Sequence, residues 1–256
     1  MLSDCRYVIV SNALSHFQDR LLKKLNHLQL YKGETVDNIL FFGLYNVVDF
    51  FRLRHFLKQR IRVHILWGGT DCHTLHNHRN VRKNQNDIDW ICHYAISPDI
   101  SNCLKEDGIP FEFLENFSLV QEEYFTKRET SEEKQPDKVY IYNGLQKGRE
   151  DFFGKDFYEK VIEKLIRNYQ FKEEQFIFSN SLNKKYSDMV HVYEKCFIGL
   201  RLCQKDGNSN TVEEFRCIGK PIIHKCSEYG ISWENEYDIM ESILTHYKAL
   251  QHKIQS

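Results

Sequence analysis

Asp206-Gly207-Asn208-Ser209-Asn210-Thr211-Val212-Glu213-Glu214 joins a glycine turn to the start of a helix, and these residue types could hold a phosphorylated ligand. Gly207, Asn208, Ser209, Asn210 and Thr211 offer backbone N–H groups at the positive end of a helix, the usual physics of phosphate binding. Asn210 with Glu213 three residues on also reads as a capping box, which needs no ligand. Glu214 points about 100° around the helix from Glu213, which leaves it open to another task. Its two oxygens match two vicinal ribose hydroxyls. Taken alone, the segment supports both readings, a capped helix and a phosphate cradle.

Two further stretches carry chemistry. Tyr142-Asn143-Gly144-Leu145-Gln146-Lys147-Gly148-Arg149 follows an apolar run and combines two glycines with two cations, Lys155 standing behind them. Such a loop either neutralises an anion or is an ordinary basic surface turn. Trp67-Gly68-Gly69-Thr70-Asp71-Cys72-His73 follows another apolar run, and Gly68 and Gly69 let the backbone turn sharply or approach a ligand closely. Asp71 there could orient a hydroxyl and His73 could move a proton, or Asp71 could cap a polar turn. Gly43, within Phe42-Gly43-Leu44-Tyr45-Asn46, is the close-approach residue of a third turn.

The spacing of the first segment has a wider match. Asp206, seven intervening residues, Glu214, then Gly219-Lys220-Pro221-Ile222 entering a strand resembles the C-terminal signature of retaining glycosyltransferases of the two-Rossmann GT-B architecture, the group-1 or family 4 type. That family places Glu, seven residues and Glu before a Gly-x-Pro turn and an apolar strand; here the first acid is Asp, one methylene shorter. The Trp67 to Asp71 loop is similar to the Trp-x-Gly-(Ser/Thr)-Asp loop on the acceptor side of some of these enzymes.

The resemblance implies that Glu214 contacts the donor ribose, Gly207 to Thr211 and Gly144 line its phosphates, and Lys147 and Arg149 neutralise the leaving diphosphate. It also implies that Asp206 approaches the donor sugar, while Asp71 and His73, with Gly43, Gly68, Gly69 and Thr70, form the acceptor side. The implied activity is hexosyl or related transfer from a nucleotide-sugar to an acceptor hydroxyl, with retention and with no metal or other cofactor. A non-catalytic nucleotide- or sugar-binding protein of the same fold is the competing reading.

Elements must place these loops together. The chain has 256 residues, 41% hydrophobic and 14% aromatic, enough for one or two cores. Apolar β-type runs at 7–10, 38–42, 61–67, 90–96 and 111–113 alternate with helical patterns through Phe17 to Leu25, Val47 to Leu57 and, after the Ser97 cap and Pro98, up to Gly108. A polar stretch follows. The alternation restarts at 138–142, with strands at 175–178, 196–200 and 221–224, a striped helix through Tyr158, Val161, Ile162, Leu165, Ile166 and Tyr169, and a helical end.

The predicted class is therefore α/β, two Rossmann-like domains with parallel sheets facing a cleft, in a compact version. The predicted boundaries are 1–117 on the acceptor side, a linker at 118–137, and a nucleotide-sugar domain at 138–256. In such sheets ligands bind beyond the carboxyl ends of the strands, where all three loops fall.

Charge and composition exclude several classes. Thirty-five Lys+Arg against 36 Asp+Glu give a net charge of -1, so no global field draws nucleic acid or an anionic membrane, and a charged partner must be met locally. The eight cysteines include no Cys-x-x-Cys pair and read as reduced thiols. With no signal-peptide pattern and no membrane-length apolar run, the expected location is cytoplasmic. Neither Gly-x-Gly-x-x-Gly nor a P-loop occurs. Asp87-Ile88-Asp89 is a chance-level match to a metal motif, and His73, His76 and His78 beside Cys72 show no second ligand group for zinc.

Overall fold

The apolar runs at 39–42, 63–66, 139–141 and 196–200 form strands buried on both faces, as the interior of a parallel sheet requires. The computed structural model describes residues 2–69, 71–72, 90–115, 117–126, 136–144, 148–204, 206, 209–225 and 229–255. It divides into two units, the first made of residues 1–119 with the short segment 205–208, the second of residues 120–204 and 209–256.

In the first unit β1 (Tyr7–Val10), β2 (Gln29–Leu30), β3 (Asn38–Phe42), β4 (Arg62–Leu66), β5 (Ile91–Ala95) and β6 (Glu112–Phe113) form one sheet in the order β2-β1-β3-β4-β5-β6. Every pairing is parallel. Ile39, Leu40 and Phe41 of β3 and Val63, Ile65 and Leu66 of β4 have no exposed surface. Helices α1 (Gln18–Lys24), α2 (Val47–Lys58) and α3 (Pro98–Glu106) connect the strands.

Local chemistry sets the helix ends. Asn46 accepts from the N–H groups of Val48 and Asp49, and Asp49 returns a bond to the Asn46 N–H, a full capping box for α2. The Ser97 hydroxyl accepts from Ile100 N–H at the start of α3, with Pro98 in the first turn. The chain leaves α3 at Gly108, whose φ of +66° favours glycine.

The second unit repeats the plan with β7 (Lys138–Ile141), β8 (Phe176–Phe178), β9 (Cys196–Leu200) and β10 (Ile222–Ile223), parallel and ordered β10-β9-β7-β8. Its helices are α4 (Glu122–Phe125), α5 (Lys155–Tyr169), α6 (Met189–Glu194), α7 (Asn210–Cys217) and α8 (Glu236–Gln255). The α5 stripe faces inward through Tyr158, Val161 and Leu165, while Tyr169 at its end is half exposed.

Two elements differ from the sequence reading. The short edge strand β2 carries too few residues to show a period. The stretch at 118–137 is more than a polar linker: α4 lies within it, and Phe125 is fully buried against Tyr186 and Tyr193. One well-placed aromatic outweighs the polar composition around it. Residues 127–135 lie outside the described residues.

The seven described cysteines are free thiols, and among the described residues no helix is long and apolar enough to cross a membrane. Two histidines in the first sheet are kept neutral. His64 stacks on Tyr94, its Nδ1 3.0 Å from the tyrosine oxygen, and His93 receives the Trp67 indole N–H at 3.3 Å. Burial brings both imidazoles from an ordinary 6.5 down to about 4. The unfolded chain therefore binds more protons than the folded one between these values, so stability is full above pH 6.5 and falls as pH drops towards 4. Urea unfolding across this window should show the loss, and His64→Gln should show a shallower one. Equal slopes for both proteins would contradict the assignment.

Candidate functional site

Strand order locates the ligand edge of the second unit. From β7 the chain crosses to β8 on one side, and β9 and β10 build outward on the other, so the direction reverses between β7 and β9. Open parallel sheets bind ligands at such a reversal, beyond the carboxyl ends of the strands. The two loops there are 142–149 after β7 and 201–209 after β9, both singled out by sequence.

The β7 loop is tied to the end of β8. The Asn143 N–H donates to Ser179 Oγ at 3.0 Å, the Ser179 hydroxyl lies 2.7 Å from the Gly144 carbonyl, and the Asn180 N–H donates to Asn143 Oδ1 at 3.0 Å. Gly144 is buried with φ +99°, which a side chain rarely adopts. Glu150 fixes the far end, accepting the Gly148 N–H at 2.7 Å and an Asn180 amide N–H at 3.2 Å. Arg149 is exposed, its guanidinium 5.3 Å from the Phe152 ring centroid and 5.6 Å from that of Phe153. Lys147 lies outside the described residues.

The β9 loop leads into α7. Asp206, Ser209 and Thr211 are buried, and Gly207 and Asn208 lie outside the described residues. Here the structure corrects the predicted cap. Ser209, not Asn210, is the N-cap, its hydroxyl accepting the Val212 N–H, and Glu213 turns outward to pair with Arg216 at 2.7 Å. Asn210 thus becomes the first residue of the helix. Its N–H and that of Thr211 belong to the first turn, whose donors have no partner inside a helix.

Glu214 is also not the unengaged residue expected from its spacing. It is 4% exposed, and the Tyr193 hydroxyl donates to its Oε2 at 2.7 Å. Burial raises the Tyr193 hydroxyl well above its usual range, helped by Tyr140 and Glu214, so it stays a donor at neutral pH. Tight packing fixes the arrangement: a Cβ at Gly199 of β9 would lie 2.7 Å from the Phe215 ring. The Lys220 ammonium donates to the carbonyls of Tyr193, Glu194 and Cys196, which fastens the end of α6.

Sequence reasoning missed three participants. Tyr193 and Ser179 look unremarkable without their tertiary neighbours. Arg201 directly follows β9, with its guanidinium 4.1 Å from the Tyr142 ring centroid and 5.1 Å from that of Phe153. A lone cation at the carboxyl end of an apolar strand was the available signal. Cys203, Asp206 and His224 form a buried group whose ligating atoms lie within 4.8 Å of one another. Sulfur, oxygen and nitrogen donors of this kind suit a zinc-like ion.

In the first unit the direction reverses between β1 and β3. Ser11 donates to Asp49 Oδ2 at 2.7 Å, joining the end of β1 to α2. Asp71 is fully buried, its Oδ2 accepting from the Leu44 N–H at 3.0 Å and the Gly68 N–H at 3.3 Å, its Oδ1 from the Gly69 N–H at 2.8 Å. Burial pushes its carboxyl upward while these N–H groups oppose the shift. The structure therefore makes Asp71 a tie between two strand-end loops, with its oxygens already engaged, instead of a group presented to an acceptor hydroxyl. Gly43 and Gly68 likewise make room for Leu14 and Tyr45; a Cβ on Gly43 would meet Leu14 at 2.7 Å. Thr70 and His73 lie outside the described residues.

Removing the Tyr193 hydroxyl takes a donor away from a buried carboxylate. Tyr193→Phe should lower the unfolding free energy by about 1–3 kcal/mol in urea titrations, and an unchanged midpoint would contradict the bond.

No family model matches the chain, and no curated protein matches it. Solved structures do. Over 83% of this chain and 48% of the other, it superposes on TarM with a TM-score of 0.53 at 11% identity. Over 93% of this chain and 71% of the other, it superposes on sucrose-phosphate synthase from Thermosynechococcus elongatus with a TM-score of 0.57 at 9% identity. The chain thus spans about half the length of the first and under three quarters of the second. Both are GT-B glycosyltransferases, and with its two parallel sheets this chain has the GT-B fold.

Proposed function

We propose that the chain transfers a sugar from a nucleotide-sugar to an acceptor hydroxyl, the donor held by the second unit and the acceptor by the first. The observation that carries this reading is the pair of loops at the β7/β9 reversal. They supply the first turn of α7, Asp206, and the cations Arg149 and Arg201 at the carboxyl edge of one sheet. The GT-B fold supports the same class of reaction.

In this reading the N–H groups of Asn210 and Thr211 and the α7 dipole meet the donor phosphates. Arg149, Arg201 and Lys147 stabilise the charge that grows on the diphosphate as the bond from the anomeric carbon to phosphate oxygen breaks. The acceptor oxygen bonds to that carbon on the same face, and its proton passes to the departing phosphate oxygen, so retention needs no dedicated base. Asp206 contacts the donor sugar. Glu214, held by Tyr193, contacts the ribose. Transfer proceeds without a metal.

The Cys203, Asp206 and His224 group favours a second reading, in which Asp206 is a metal ligand and not a sugar contact. A chelator distinguishes the two. Turnover that survives exhaustive chelation supports the first, and loss restored by zinc supports the second.

A thermal-shift panel of UDP-, GDP-, ADP- and TDP-sugars should reveal one stabilising donor. No shift with any of them would count against the reading. With that donor, Arg201→Ala should reduce kcat by roughly 100-fold, as the loss of about 3 kcal/mol of charge stabilisation requires. Asp206→Asn should bind the donor and lose turnover, which a protein that only binds could not show.

A further inference from the structure

We infer that α2 presents a docking surface for an anionic lipid bilayer. Val47 is 74% exposed, Val48 51% and Phe51 74%, all within the first two turns of one helix. Scattered apolar residues on a surface are ordinary, but a cluster in one and a half turns is not. The helix cannot roll to hide them, because Phe50, Leu53 and Phe56 are buried on its other face and the Asn46–Asp49 capping box fixes its start.

The remaining exposed positions choose the occupant. At about 100° per residue, Lys58 lies between Val47 and Phe51 in projection, and Arg54 and Arg52 flank the stripe on either side. All three are exposed, with His55. The one acid of α2, Asp49, is 2% exposed and bound to Ser11, so the outer face carries positive charge alone. An apolar patch ringed by Arg and Lys matches the interface of a negatively charged bilayer, the valines and phenylalanine entering the acyl boundary and the cations meeting headgroup phosphates. The overall charge of -1 makes this a local attraction. Its place is fixed by topology: α2 follows β3, one of the two strands at the direction reversal of the first sheet. None of this depends on sugar transfer.

The test is co-sedimentation of the whole chain with phosphatidylcholine vesicles, with and without phosphatidylglycerol, at low and high salt. Binding is expected only to the anionic vesicles and should weaken with salt. Val47→Ser with Phe51→Ser should cut the partition coefficient roughly tenfold, and Arg52→Glu with Arg54→Glu should abolish binding. All four positions are exposed, so unchanged circular dichroism and melting temperature should accompany both pairs. Absent binding, equal binding to neutral vesicles, or binding unchanged in both variants would overturn the inference. So would Phe51-dependent self-association in sedimentation equilibrium, which would give the patch to a second copy.

Discussion

A carboxylate in an apolar interior needs a donor, and Glu214 has the Tyr193 hydroxyl at 2.7 Å. Much of the second unit follows from that bond. It ties α7 to α6, and α6 is fastened in turn by the Lys220 ammonium at its carbonyl end. Tyr140 of β7 packs its ring on Tyr193 and Phe215, so the central strand and both helices share one aromatic cluster. With α7 set against β9 at Gly199, its first turn stands at the reversal between β7 and β9, where the proposed function puts the donor phosphates.

The first unit solves the same problem with aspartates. Asp49 and Asp71 are buried, and each is bonded to strand-end loops through backbone N–H groups. Each carboxylate thereby sets the shape of the strand-end loops of this unit.

The central strands were legible because their apolar runs are buried on both faces, and α3 because Ser97, Pro98 and Gly108 mark its ends. The loops were legible as a consequence, since a parallel sheet places its ligand edge after the strands. What was hidden depends on one-residue offsets and distant neighbours. Ser209 and Asn210 are both good caps, and only the backbone shows that Ser209 serves, which turns Glu213 to Arg216 and leaves Glu214 inside. Asp71 finds Leu44 27 positions away, and Tyr193 finds Glu214 21 positions away. Arg201 becomes meaningful only beside Tyr142, which sequence places far from it.

The central claim is that nucleotide is held at the carboxyl edge of the second sheet, between β7 and β9. Amide hydrogen exchange with and without each nucleoside diphosphate tests it directly. Slowed exchange concentrated in the segments around 142–149 and 201–214, with little change in the amino-terminal ends of the same strands, is the expected result. Saturating nucleotide that protects neither segment, or protects the opposite edge of the sheet, would contradict it.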